Sequence, residues 1–387
     1  MTRAGRRTYD GAVDVFQYRA LRWITAGLVV LVLCMAAVLG PVRAGSNALD
    51  VGDQVVVNLV VRGRGNEITV RSWDRPSVQV EYADENAPVV GRRSVTFGNG
   101  RAPLVQQIPP QLYAMREQQV PGIGAVPAPG ALPPEEFPYA EFRGGAHDVV
   151  RVDAAEGSRL IVTVPASTGV LAVRAGGSQT TIEGYRGANL FVFQNAGRVQ
   201  LLNASTTAFV QLNNGAVYAA DSTFERLRVR GVTAHDVFER CHSKQIEATS
   251  VYGSIVYDGG SFDPGLARFE SQTGNIALGV ASAAQLNGRS GEGHVYTMFD
   301  RRAGASVEQH GDGEAVATVG GGGPLVSAIS TRGNVYLYDG TLLSRRTTSA
   351  EWRTVHQLFN AHRRTAASAP SPKPRRPAAG GGRLRLH

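Results

Sequence analysis

Apolar and polar residues alternate along much of this chain, in short runs set off by turn residues. Val55, Val57, Leu59 and Val61 alternate with their neighbours, Ile68 and Val70 follow, and then Val78, Val80 and Tyr82. Residues 63–66 and Asp74-Arg75-Pro76 separate the three runs. A period of two with such punctuation predicts antiparallel strands with one buried face, a small β region over 50–100. Asp74 and Arg75 precede a proline, which disfavours helix and suits a tight turn. The alternation resumes over 149–152 and 160–165 and then acquires a second, longer period.

That longer period is carried by Gly, any residue, then Ile or Val. It recurs as Gly197-Arg198-Val199, Gly215-Ala216-Val217, Gly253-Ser254-Ile255, Gly274-Asn275-Ile276, Gly293-His294-Val295 and Gly333-Asn334-Val335. The gaps between these glycines are 18, 38, 21, 19 and 40 residues, one step of about twenty taken singly or doubled. Weaker copies stand at 177–182, 234–237 and 313–316. A fixed period of this size predicts a single-stranded β-solenoid, a β-helix of about nine rungs over 147–344. At about 4.8 Å per rung it would be roughly 40 Å long. Glycine at the rung corner suits positive φ, and the Ile or Val two residues later points inward. Tyr218, Tyr257, Tyr296, Tyr336 and Tyr338 recur just after the strand start, which predicts rings stacked along a sheet face. An exposed aromatic stripe for carbohydrate is the functional alternative.

Three segments depart from this texture. Residues 101–146 contain Pro103, Pro109, Pro110, Pro121, Pro127, Pro129, Pro133, Pro134 and Pro138, and read as an inserted, partly disordered surface loop. Over 348–364, Trp352, Val355, Leu358, Phe359 and His362 recur at helical spacing, with Thr348 as cap and Glu351 reaching back to it. This predicts a short amphipathic helix closing the open end of the solenoid. Beyond it, 365–387 is a basic tail too poor in apolar residues to order itself.

The apolar run over 23–39 follows Arg3, Arg6, Arg7, Arg19 and Arg22 and precedes Ala44. This organisation over 1–44 predicts either a secretory signal cleaved after Ala44 or an uncleaved N-terminal membrane anchor. Either delivers the body outside the cytoplasm, to the periplasm or cell surface. The net charge of +8 is concentrated at the ends: +4 over 1–44 and +7 over 361–387, leaving −3 over 45–360. A slightly acidic body offers no electrostatic footprint for nucleic acid. Cys34 lies inside the apolar run and Cys241 stands alone in the body, where it reads as a small buried hydrophobe.

The run 65–80, GNEITVRSWDRPSVQV, is similar to the opening segment of the bacterial putative-adhesin family, a domain of unknown function. So are 160–165, Thr273-Gly274-Asn275-Ile276 and Thr331-Arg332-Gly333-Asn334-Val335. The resemblance spans 50–340. It implies an extracytoplasmic, solenoid-like surface protein and carries no catalytic signature.

An enzyme acting on polysaccharide would need clustered acids on one face. The local candidates are Asp258, Asp263, Asp300 and Asp312, with His294 and His310. Asp258 and Asp263 flank Gly259-Gly260, and Asp312 lies between glycines, so all read as turn residues out of phase with the repeat. His235, His242, His294, His310 and His356 lack a metal-ligand spacing. The glycines at 320–323 precede no Lys-Ser or Lys-Thr. The expectation is therefore a non-enzymatic envelope or surface protein, an adhesin or assembly scaffold, with no catalytic, cofactor or metal residues. Its partner is an unknown surface component, carbohydrate or protein. The alternative is a β-helical polysaccharide lyase or hydrolase.

Overall fold

The computed structural model describes residues 45–83, 87–97, 100–103, 139–142, 145–299, 304–340 and 349–367. Residues 1–44 and those after 367 lie outside them. The protein is all-β with one helix, and its main sheet is not closed. The N-terminal strands are β1 (Gly45–Asp50), β2 (Val56–Val61), β3 (Asn66–Trp73), β4 (Ser77–Tyr82) and β5 (Val89–Phe97). A separate two-stranded pair, β6 (Gly100–Pro103) and β7 (Tyr139–Phe142), borders the Pro-rich stretch, whose remainder is outside the described residues. Then come β8 (Gly145–Ala154), β9 (Arg159–Pro165) and four long strands: β10 (Val170–Glu183), β11 (Asn189–Leu202), β12 (Ser205–Ala220) and β13 (Thr223–Glu239). Shorter strands follow: β14 (His242–Ser250), β15 (Ile255–Phe262), β16 (Ala267–Ser271), β17 (Ile276–Val280), β18 (Ala284–Ser290) and β19 (Val295–Met298). The last are β20 (Ser306–Gln309), β21 (Glu314–Val319), β22 (Leu325–Ser330) and β23 (Val335–Asp339), before the helix α1 (Ala350–Ala367).

Parallel pairing joins these strands tier by tier, each tier having a first and a second leg. β10 pairs with β11, β11 with β12 and β12 with β13, in register through both legs. β13 continues onto β14 and β15, and these onto β16 and β17. Inward residues of both legs share one core. In the second leg, Ile68, Val199, Val217, Ile255, Ile276, Val335 and Val295 are buried in one aligned column. Each such side chain contributes about 1.5–3 kcal/mol by leaving water.

The tiers do not stack in chain order. β2 and β3 pair in parallel with β8 and β9 on one side and with β10 on the other, so 56–73 lies between 145–165 and 170–183. The expected antiparallel region over 50–100 is corrected accordingly. Only β1, β4 and β5 run antiparallel there, on β4, β9 and β8 respectively. Alternation reports which face is buried, and it is the same for either strand direction. At the far end, β22 and β23 slot between β16–β17 and β18–β19. The repeat copy at 313–316 is not a tier: it lies in β21, antiparallel to β18 and β20.

The corner glycines also need a different reason from the one their sequence suggests. Gly197 and Gly215 do take positive φ, at 110° and 131°, but Gly253, Gly274, Gly293 and Gly333 do not. A Cβ on Gly274 would sit 2.0 Å from the Gly253 carbonyl oxygen. Close approach of neighbouring tiers is what excludes a side chain there.

Two side-chain ladders flank these later glycines. Ser271 Oγ accepts the Gly274 N–H at 2.8 Å and donates to the Gly253 carbonyl at 2.9 Å. Ser250, Ser330 and Ser290 repeat the arrangement. The residue after glycine is not arbitrary either. Ser254 N–H donates to His235 Nδ1 (3.1 Å), Asn275 N–H to Ser254 Oγ (3.2 Å), Asn334 N–H to Asn275 Oδ1 (2.8 Å) and His294 N–H to Asn334 Oδ1 (2.9 Å). Each tier thus satisfies a backbone donor of the next, as buried polar groups require.

Helix α1 starts with Ser349, whose Oγ accepts the Trp352 N–H at 3.3 Å. The cap is therefore one residue later than Thr348, which lies outside the described residues. Hydrogen bonding to Ser349 holds the Glu351 carboxyl below its ordinary value. Val355 and Phe359 are buried against Val237, Val256, Ala277, Tyr336 and Tyr338. The helix thus packs across the outer face of four second-leg strands, where the sequence predicted a lid over an open end. The apolar outward column Val237-Val256-Ala277-Tyr336 supplies the matching surface.

Candidate functional site

Two outward-facing regions gather polar groups. The first lies near the N-terminal tiers, a cavity of about 240 Å³ lined by Asn58, Val60, Gly91, Arg92, Val149, Arg151 and Arg174. Strand pairing explains the grouping. Asn58 stands beside Arg151 on β8 and Ala172 on β10, and Val60 stands beside Asp153 and Arg174. Residues two apart on a strand share a face, so one pleated surface presents Arg151 and Arg174, while Arg92 on β5, paired with Val150, lines the cavity from the sheet edge. Arg92 holds Asp148 through Nε and Nη2, both at 3.0 Å, and its Nη1 reaches the Asp50 carbonyl. The Gly52 N–H, backed by Arg92, keeps the Asp148 carboxyl below its ordinary value. Arg151 holds Asp153 at 2.7 and 2.8 Å. Arg174 is 6% exposed, a nearly buried guanidinium.

The second region lies near α1. Glu239 and Asp258 are register neighbours on β13 and β15, and both are fully buried. Tyr218 donates to Glu239 Oε2 at 2.6 Å, and Tyr338 donates to Asp258 Oδ1 at 2.9 Å. Arg240 bonds Glu239 Oε1 and forks onto Asp221 at 2.7 and 2.8 Å. Burial pushes the Tyr338 hydroxyl well above its ordinary value, with Asp258 adding to the effect. The arrangement is a network, buried at Glu239 and Asp258 and open to solvent at Arg240 and Asp221, in which protein hydroxyls and a guanidinium compensate the carboxylates.

The sequence candidates scatter. Asp258 is no turn residue: Gly259 takes φ 64° inside β15, and the strand carries on through an irregularity to Phe262. Asp263 lies 3.4 Å from His242 Nε2, half-buried. Asp312, His294 and His310 are exposed in turns or at strand ends, and Asp300 is outside the described residues. Tyr296 and Tyr336 stack at 5.1 Å, whereas Tyr257 points into the core against Phe262 at 4.6 Å. Cys241 is buried, and its thiol is pushed up to about 12 by that burial. Among the described residues, no group of three His, Cys, Asp or Glu is placed to hold a metal ion. Nor is any helix long and apolar enough to cross a membrane; 23–39 lies outside that search. The arginine cavity went unread because its residues come from β2, β5, β8 and β10, which only the tier order brings together.

No family model matches the chain, and no curated protein matches it. A solved structure, a putative cell adhesion protein from Clostridium sporogenes, is similar at 6% identity, covering 77% of this chain and 100% of that one. Its TM-score of 0.19 carries no argument for fold or function.

Proposed function

We propose that this chain is a non-enzymatic protein of the cell envelope or surface. In this reading its tiers are the rungs of a β-solenoid that presents the arginine cavity to an anionic surface polymer. The carrying observation is the composition of that cavity. Its lining offers guanidiniums and an amide that suit carboxylate or sulfate groups; the carboxylates beside it, Asp148 and Asp153, are engaged by Arg92 and Arg151, and the lining has no histidine or lysine to move a proton. Glu239 and Asp258 would be the acids of an enzymatic alternative. Their complete burial, with Tyr218, Arg240 and Tyr338 on them, argues against it. The apolar stretch over 23–39 and its basic flank would export the body or tether it at the membrane.

Calorimetry with a polyuronate and with a neutral glycan of equal length tests the reading. The expected result is polyuronate binding that weakens with salt and drops about ten-fold in Arg174→Met, with no chain cleavage. Equal affinity for both glycans, or release of shortened polyuronate, would overturn it. N-terminal sequencing of the exported protein tests the leader. A start at Gly45 means release and an intact start means anchoring, whereas recovery from the cytosol alone contradicts export.

A further inference from the structure

The tier formed by β13 breaks the repeat at every defining position. Where the later tiers have the ladder serine, the register places Gly231 opposite Ser250. Where they have the corner glycine, it places Ala234 opposite Gly215. Where they have Ile or Val, it places Asp236, between Val217 on β12 and Ile255 on β15. Asp236 is 0% exposed, and neither carboxyl oxygen has a hydrogen-bond partner. A carboxylate in that apolar column would be uncompensated, so the side chain resides there as the neutral acid. The preceding residue adds a second constraint. His235 Nδ1 accepts the Ser254 N–H at 3.1 Å and heads the ladder along the glycine corners, so that nitrogen must be unprotonated.

We propose that the β13 tier is a pH-sensitive parting line, across which the stack is continuous only while Asp236 is neutral and His235 uncharged. Ionising either residue opens β13 from β15 and separates the tiers before it from those after it.

The groups facing Asp236 offer no compensation. β12 presents Val217 and Ala219, β14 presents Ala248 and Ser250, and β15 presents Ile255 and Tyr257. The titratable inward groups nearby are Tyr257 and Cys241, which burial pushes up and so keeps neutral. Glu239, Arg240 and Asp221 bond one another in the separate Tyr218 network. Burial raises the Asp236 carboxyl well above 3.8 and lowers the His235 imidazole below 6.5. The signs are opposite. The contribution of neutral Asp236 is complete below pH 3.8 and is lost as pH rises through its folded value. That of neutral His235 is complete above pH 6.5 and is lost as pH falls through its folded value.

The test is thermal unfolding of the full chain from pH 4 to 10, with native-state hydrogen exchange locating the first segment to open. The wild type should lose its midpoint toward both ends of the range. Asp236→Val should raise the midpoint at pH 9 by about 5 °C or more and abolish the alkaline decline. Asp236→Asn, which cannot ionise, should abolish that decline whether or not the valine variant folds. His235→Asn, which keeps an acceptor, should abolish the acid decline. Exchange protection should fail first in peptides spanning β13 to β15. An alkaline decline that persists in both Asp236 variants, or first opening elsewhere in the stack, would refute the proposal.

Discussion

From β10 to β13 the strands run 14 to 17 residues unbroken through the corner, whereas after β13 they break at a Ser-x-x-Gly turn into pieces of 4 to 9. Among these corners, those of β11 and β12 bend at positive-φ glycine, and one side chain fills the corner between β10 and β11. Gln194 Nε2 donates to the Ser178 and Ala196 carbonyls at 2.7 and 2.8 Å. Its Oε1 accepts from the Ser178 and Thr180 hydroxyls at 3.0 and 2.9 Å. The later corners spread the same work over one serine and one acceptor per tier. One twenty-residue period thus accommodates a concentrated solution and a distributed one, and these should fail differently.

Gly215→Ala should be the most damaging of four changes that test this contrast. Its Cβ would stand 1.8 Å from the Gly197 carbonyl oxygen at a φ of 131°, so steric and conformational costs combine to more than about 3 kcal/mol. Gly274→Ala meets only the steric cost and should lose less, on the order of 2 kcal/mol by denaturant titration. Equal losses would mean that positive φ does not distinguish the corners. Gln194→Ala orphans buried groups on two tiers and should cost about 2–3 kcal/mol, against about 1–2 for Ser271→Ala. If the serine change costs as much as the glutamine one, the distributed ladder is no more tolerant. The smallest effect sharpens the boundary without altering it. At pH 8 the Cys241 thiol, just past β13, should react with a maleimide at least about a hundred-fold more slowly in the native state than in denaturant. Rapid native labelling would show that the tier opens unprompted.

Particular residues show how far the sequence could be read. Trp352, Val355 and Phe359 were legible as a helix face, and the start was off by one residue because Thr348 and Ser349 are both competent caps. Tyr296 and Tyr336 were legible as a stack, but Tyr218 shares their face without stacking on them, and Tyr257 was not legible as core. It falls one residue out of phase with them, and which face a position takes follows from register. Asp258 was misread because Gly259-Gly260 looks like a turn wherever it occurs. The ladder role of His235, Ser254, Asn275 and Asn334 had no signal of its own, since three different kinds of side chain perform it.

Alternation, the twenty-residue period and the spacing of the helix face follow from the sequence alone, because each depends on residues close together in the chain. The order of the tiers, the direction of β2 and β3, the side on which α1 packs and the meeting of Arg92, Arg151 and Arg174 were decided by the tertiary structure. A repeat makes every tier a suitable neighbour for every other, so local pattern leaves their order open. Long connections at each end then allow 56–73 and 325–339 to occupy places that chain order would not assign.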